Sequence, residues 1–232
     1  MIKGVKFNSI NENISKHSYK DFGLVLTEQN IGVPTAKTYT VDIEGRNGTL
    51  DLSESFGEIK FGNRTVKLTF ELIEEIESWQ KRVKAVAGFL HGQRMKITIW
   101  SDTDFYYVGR CFIDEYNSSE RLGTIVVSCD CEPYKYKQSV TQVTLTSGKN
   151  TVINGRMTVF ADLFNDSEIT IGNKAYGAGT HLRAIKLVYG KNILNSNGTA
   201  TLKFQEGELQ CNIKYFVAAE RHSQTIASTI QT

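Results

Sequence analysis

Proline is nearly missing from this chain, with two in 232 residues, Pro34 and Pro133. That excludes a Pro-rich linker and leaves strands free to run uninterrupted. Cysteine (four) and tryptophan (two) are also scarce, and four thiols in a chain of this size do not make a disulfide scaffold. No stretch approaches the roughly 18 apolar residues of a membrane-spanning helix. The first residues, Met1-Ile-Lys-Gly-Val-Lys, lack the apolar run of a signal peptide, so the expectation is a cytosolic product with no membrane insertion. Neither sign of charge dominates: 27 basic residues face 25 acidic ones, for a net charge of +2. That argues against a dedicated nucleic-acid binder, which carries a basic stripe. Signatures of catalysis are missing too. There is no G-x-S-x-G, no P-loop and no G-x-G-x-x-G after a strand, and His17, His91, His181 and His222 stand apart from one another.

What the chain has is alternation. The hydrophobic fraction is 40%, enough for packed cores. Val66, Leu68, Phe70 and Leu72 alternate with polar residues, the period of a half-buried strand. At Ile73 the period changes. Leu72, Ile76, Trp79, Val83, Val86 and Leu90 fall three or four apart and form one stripe of a helix. Early acidic residues (Glu74, Glu75, Glu77) and late basic ones (Lys81, Arg82, Lys84) suit the helix dipole, and Glu77 with Lys81 is an i,i+4 pair. Gly92 is placed for the left-handed end of this helix. A lone amphipathic helix among strands must lay its apolar stripe on a sheet.

Short strands are expected at residues 2–7 and at Phe22–Leu26, with polar loop over Asn11–Asp21 between them. Tyr39, Val41 and Ile43 alternate as a further strand, ended by Gly45-Arg46-Asn47-Gly48. Three successive strands at 95–100, 105–113 and 124–132 predict an antiparallel meander. Glu132-Pro-Tyr-Lys-Tyr-Lys-Gln-Ser reads as a boundary, with Tyr134 and Tyr136 exposed on it. Beyond it no helical period recurs. Strand patterns at Gln142–Leu145, Met157–Phe164, Glu168–Ile171, His181–Tyr189, Thr199–Phe204 and Glu208–Phe216 suggest a β-sandwich. The polar stretch Ala218–Thr232 is expected to be partly loose. The fold class is therefore mainly β: an α+β N-terminal domain, a sandwich or meander with one amphipathic helix, over residues 1–137, and a C-terminal β-sandwich over 138–232.

Few residues invite chemistry. Cys129 and Cys131 share one strand face and Cys111 belongs to a neighbouring strand. Zinc would want a fourth ligand and knuckles on turns, so buried apolar thiols are the preferred reading. His91 follows the helix, where a structural role outweighs catalysis. The glycine-rich Gly172–Gly179 segment lies among strands and reads as a turn. Trp100, Phe105, Tyr106 and Tyr107 surround a hairpin. They would suit a sugar platform, but sheet packing is the default for aromatic strand residues. No metal, cofactor or catalytic residue is expected.

Several features follow one another in a familiar order: Ser18-Tyr-Lys-Asp-Phe-Gly-Leu-Val-Leu26, Val41-Asp-Ile-Glu-Gly-Arg-Asn-Gly-Thr-Leu-Asp-Leu52, the strand-to-helix stretch Val66–Trp79, Leu90-His-Gly92 and Tyr106-Tyr-Val-Gly-Arg110. Together they resemble the distal tail (Dit) protein family of long-tailed phages with flexible tails, with Gly-Arg-x-Gly-x-Leu-Asp-Leu the most specific part. Glu44 stands where the family usually has proline and Asn47 where it usually has aspartate, but the turn glycines remain. Asn154-Gly-Arg156, Gly190-Lys-Asn-Ile193 and Phe204-x-x-Gly207 are similar to the galectin-like sandwich that often follows. The resemblance implies a structural protein of the virion rather than an enzyme. Six N-terminal domains would close a ring at the end of the tail tube. The ring would join the tube protein to the tail-tip or tail-associated lysin protein, in many phages would anchor receptor-binding proteins, and would let DNA pass through its hole.

A ring of identical subunits needs two different, complementary surfaces on each copy. The segment Gly45–Gly62 is the candidate reaching element, with Arg46, Leu50, Leu52, Phe56 and Phe61 as candidate subunit-interface residues. The alternative is that it folds back on its own core. A second class of function, carbohydrate binding by the C-terminal sandwich, is disfavoured because residues 142–217 contain no tryptophan. Hydrolase activity is disfavoured because no nucleophile or acid/base constellation is present.

Overall fold

The computed structural model describes residues 4–55, 57–72, 79–118, 122–155 and 157–209. The N-terminal part opens with β1 (Val5–Ser9), β2 (Ser15–His17), α1 (Ser18–Phe22) and β3 (Leu24–Ile31). Four short strands follow: β4 (Ala36–Lys37), β5 (Thr40–Asp42), β6 (Thr49–Asp51) and β7 (Lys60–Phe61). Then come β8 (Arg64–Leu72), α2 (Trp79–Leu90), β9 (Arg94–Ile99), β10 (Phe105–Ser118), β11 (Gly123–Cys131) and β12 (Lys135–Lys137). The main sheet has the order β2-β1-β9-β10-β11-β8-β3, and the strands at its centre form the expected meander.

The alternation in β8 decides which face is covered. Val66, Leu68, Phe70 and Leu72 are buried and join Phe7, Leu24, Ile97, Ile125 and Val127 in one core. The α2 stripe of Trp79, Val83, Val86 and Leu90 closes that core from above. The expected helix start at Ile73, the place of Ile76 and the Glu77–Lys81 pair lie outside the described residues. Gly92 takes the left-handed φ of 75° expected after the helix. His91 has a structural contact, its Nδ1 accepting the Ile113 backbone N–H at 3.1 Å.

The segment read as loop before Asp21 is ordered instead as β2 and α1. The His17 side chain caps α1 by accepting from the Tyr19 and Lys20 backbone N–H groups, and the Ser18 hydroxyl accepts the Val5 N–H at 3.0 Å. Five helical residues are too few to show a period, so capping and anchoring, not amphipathicity, specify this element.

The C-terminal part supplies β13 (Thr141–Leu145), β14 (Gly148–Asn154), β15 (Val159–Asn165), β16 (Ile169–Ile171) and β17 (Lys174–Tyr176). It ends with β18 (Gly179–Leu187), β19 (Gly190–Ser196), β20 (Ala200–Phe204) and β21 (Gly207–Glu208). Two four-stranded sheets, β13-β20-β15-β18 and β14-β19-β16-β17, enclose a second core that includes Leu145, Leu163, Ile169, Leu187 and Leu202. The strands β14, β17 and β19 were not foreseen: β14 and β19 are rich in turn-forming asparagine and glycine, and β17 lies inside the Gly172–Gly179 segment read as a turn. Those asparagines close neighbouring turns from within the strands. Asn154 donates to Leu187 O at 3.1 Å, and Asn192 exchanges two bonds of 2.9 Å with Val188. The stretch 210–232, including Cys211, most of the expected Glu208–Phe216 strand and the Ala218–Thr232 tail, lies outside the described residues.

The two parts meet at a neck. Strand β21 returns to pair with β12, which pairs with β10. Lys135 is 5% exposed there and bridges Asp102 at 2.6 Å and Glu208 at 2.9 Å, with its ammonium 4.2 Å from the Phe105 ring centroid. The Glu132–Ser139 stretch is therefore not the exposed tract its polarity suggested. Tyr136 donates to Glu132, and Tyr134 packs edge-on against Phe61. A buried lysine with two carboxylates makes a local clasp out of residues that read as linker.

Candidate assembly surface

Between β3 and β8 the chain leaves the main sheet and forms an arm. At its root β4 pairs with β7, matching Ala36 with Phe61 and Lys37 with Lys60, and Gly62 N–H donates to Thr35 O at 2.8 Å. Further out β5 pairs with β6, with Thr40 opposite Asp51, Val41 opposite Leu50 and Asp42 opposite Thr49. The hairpin is extended by Leu52 N–H donating to Tyr39 O at 2.8 Å. Gly45 (φ 81°) and Gly48 (φ 74°) carry the turn, in the left-handed region where a side chain is strained.

Pleating sorts the hairpin into two faces. Tyr39, Val41, Ile43, Leu50 and Leu52 share one, and Thr40, Asp42, Thr49 and Asp51 share the other. No residue of β4, β5, β6 or β7 is buried, and none belongs to either hydrophobic core. Tyr39 is 59% and Ile43 44% exposed. On the polar face, Asp51 accepts from the Ser53 N–H (2.9 Å) and hydroxyl (2.5 Å), bonds that hold its carboxyl below the usual aspartate range. The Ser53 oxygen in turn accepts the Tyr39 N–H at 2.8 Å. These bonds rigidify the hairpin end without covering its apolar side.

The candidate interface residues occupy different places. Leu50 and Leu52 lie half-buried on the apolar face, against their cross-strand partners. Arg46 is exposed in the turn, its N–H donating to Ile43 O at 3.1 Å. Phe61 sits at the root against Tyr134, with ring centroids 6.3 Å apart. Phe56 lies outside the described residues. The register adds Tyr39, Val41 and Ile43 to the same face as Leu50 and Leu52. Sequence reasoning had these as a strand but missed the shared face, which follows only from the pairing. Beyond the root the arm also reaches the C-terminal part, where the Thr158 hydroxyl donates to Glu58 at 2.6 Å.

The other candidates are packing residues. Cys111, Cys129 and Cys131 are buried side by side in the main core, with Cys129 Sγ 3.2 Å from Cys111 Sγ. The hydrogen bond to Cys111, then burial, raises the Cys129 thiol well above its ordinary value, and burial does the same to Cys131. Thiols held protonated in an apolar core are poor nucleophiles and poor ligands. Among the described residues, no group of three or more His, Cys, Asp or Glu side chains is arranged to hold a metal. No helix among them is long and apolar enough to cross a membrane.

No protein-family model and no curated protein matches this sequence. Solved structures do match. The baseplate of phage p2, in its activated conformation with Sr, aligns over 89% of this chain and 98% of its own at 8% identity and a TM-score of 0.46, too slight a likeness to argue from. The crystal structure of the phage SPP1 Dit protein, described as a paradigm of the hub adsorption apparatus in phages infecting Gram-positive hosts, aligns over 88% of this chain and 99% of that one. The TM-score is 0.67 at 13% identity. This chain has the fold of the SPP1 Dit protein.

Proposed function

We propose that this protein is a non-enzymatic hub subunit of a phage tail tip, a distal tail protein whose N-terminal domain (1–137) builds a six-membered ring and whose galectin-like C-terminal domain (138–232) carries adhesion components. The ring joins the tail tube protein on one side to the tail-tip or tail-associated lysin protein on the other, and the C-terminal sandwich offers docking ground for receptor-binding proteins. DNA passes through the central hole without being bound. The protein belongs to the virion and uses no cofactor.

The observation that carries this reading is the arm, seen on a chain with the fold of a hub protein. A two-stranded hairpin is marginal in water by itself, and this one keeps five apolar side chains outside both cores of its own chain, two of them exposed. Its order is accounted for if the missing cover comes from a second copy. Such a contact is head-to-tail, since the arm of one subunit meets a different surface of the next, and it closes into a ring when the rotation per step allows. Among the described residues, no group of three or more His, Cys, Asp or Glu side chains is placed to hold a metal. Negative-stain electron microscopy of the purified protein tests the reading. Six-fold rings with an axial hole and a mass of about 156 kDa, six copies of the 26.0 kDa chain, are the expected result. Particles of another symmetry, or single subunits at every concentration, would overturn it.

A further inference from the structure

The hub role makes no use of the three core cysteines, and the sheet register sets two of them apart. Cys111 of β10 and Cys129 of β11 stand directly opposite each other in the antiparallel ladder, although they are 18 residues apart in sequence. The Cys111 N–H donates to Gln93 O at 2.9 Å, and its carbonyl accepts the Gly92 N–H at 2.8 Å. Both backbone groups of Cys111 therefore point to the β9 side of β10, away from β11. That makes Cys111–Cys129 a non-hydrogen-bonded cross-strand pair, the kind in which facing Cα atoms come to about 4.5 Å and side chains lie closest. A disulfide spans Cα separations of about 4.4–6.8 Å. The ladder thus holds these two thiols within bonding reach, with no change of register, and their sulfurs are 3.2 Å apart.

Cys131 is placed differently. Across the same ladder it faces Gly109, where a Cβ would stand 2.5 Å from Cys131 Sγ. Its relation to Cys111 is diagonal, a separation of about 7–8 Å in an antiparallel ladder, beyond the reach of a disulfide. The register therefore singles out one pair among the three buried thiols.

We propose that Cys111 and Cys129 form a latent cross-strand disulfide, open in a reducing cytosol and closed by a low-molecular-weight disulfide such as oxidised glutathione when the chain folds in an oxidising medium. In the closed core both sulfurs are 0% exposed, so the exchange begins while β10 and β11 are apart. One cysteine, as thiolate, attacks the S–S bond of the oxidant, forms a mixed disulfide and releases one thiol. When β10 pairs with β11, the other cysteine attacks the protein sulfur of that mixed disulfide and releases the second thiol. In all, the two cysteines lose two electrons and two protons, and the oxidant is reduced to two thiols. The finished bond is buried, and a reductant reaches it only when the same strands open. The reading as a virion protein, which works outside its host, supplies the oxidising medium. The choice of pair rests on the register and is independent of ring formation.

The test is refolding of the full-length protein from denaturant, once in oxidised and reduced glutathione and once in excess dithiothreitol. Free thiols are then alkylated in denaturant, and intact mass, peptide mapping and thermal melts are compared. The glutathione sample is expected to lose about 2 Da, two hydrogens, and to yield one dominant linked peptide pair joining Cys111 to Cys129. It is expected to melt about 5–10 °C above the reduced sample. Cys111→Ala and Cys129→Ala are each expected to abolish the link and the shift, and Cys131→Ala to keep both. Truncating a core thiol can cost the fold, so the wild-type peptide map decides where a variant does not refold. Sedimentation of both samples reads assembly separately, so a failed ring and a failed disulfide are told apart. A glutathione-refolded wild type whose thiols are all alkylated, links dominated by Cys131 or Cys211, or an oxidised form that melts at or below the reduced one would each overturn the proposal.

Discussion

Strand β8 and the hairpin β5–β6 carry the same alternation of apolar and polar residues, and the fold treats them oppositely. In β8 the apolar set Val66, Leu68, Phe70 and Leu72 is buried beneath α2 and among neighbouring strands. In the hairpin the apolar set Tyr39, Val41, Ile43, Leu50 and Leu52 belongs to neither core: Tyr39 and Ile43 are exposed, and Val41, Leu50 and Leu52 are only half-buried. Period-2 alternation states that one face of a strand is to be covered. It does not state by what. Where the covering element follows in the sequence, as α2 follows β8, alternation becomes core. Where none follows, alternation marks a surface awaiting a partner.

The comparison predicts opposite responses to mutation. The largest effect belongs to the covered strand: Phe70→Ala is expected to cost about 3–5 kcal/mol in denaturant unfolding, as a large core truncation does. If it cost less than about 1 kcal/mol, β8 would not be the covered member of the pair. Next comes the neck. Lys135→Ala leaves Asp102 and Glu208 without their shared cation. Because both carboxylates keep part of their surface in water, the expected loss is about 1–3 kcal/mol, below that of a fully buried pair. Calorimetry should then resolve the two cores as separate transitions, whereas a single unchanged transition would remove the neck from the account. Leu50→Asp with Leu52→Asp in the hairpin is expected to change the stability of the isolated subunit by no more than about 0.5 kcal/mol while abolishing assembly. A loss of subunit stability like that of Phe70→Ala would show that the arm folds onto its own core after all.

The smallest effect is a pH dependence at the α1 cap. Burial and neighbouring lysines lower the His17 pKa below its ordinary 6.5 in the folded state. Well above pH 6.5 folded and unfolded chains bind the same number of protons at this residue, namely none. As pH falls below 6.5 the unfolded chain takes up a proton that the folded chain resists, so stability declines until the folded pKa is reached. Denaturant unfolding between pH 7.5 and 5 is expected to show this decline, and His17→Asn, which keeps a capping side chain, is expected to flatten it.

Much of this architecture was legible in the residues. The β8 strand, the stripe Trp79–Val83–Val86–Leu90, the meander β9–β10–β11 and the mainly β class rest on periods long enough to read. The resemblance to distal tail proteins pointed to the same fold that the structure displays. What escaped detection was short or disguised. Helix α1 is five residues long and is specified by His17 and Ser18 through single hydrogen bonds. Strands β14 and β19 hide behind Asn150, Asn154 and Asn192, whose side chains close turns although their backbones are extended. The arm was half legible. Its length and leucines marked Gly45–Gly62, but only the register places Tyr39, Val41 and Ile43 beside Leu50 and Leu52. Lys135 misled in the other direction, since a lysine between tyrosines reads as exposed until its two carboxylates, 33 and 73 residues away in sequence, are brought to it by the fold.

The central claim, that a second copy of the chain covers the apolar face of the arm, is tested most directly by sedimentation velocity of the wild-type protein beside Leu50→Asp with Leu52→Asp at matched concentration. The account predicts a closed oligomer of about 156 kDa for the wild type and a folded 26.0 kDa subunit for the variant. A variant that assembles like the wild type, or a wild type that sediments as a single subunit throughout, would contradict it.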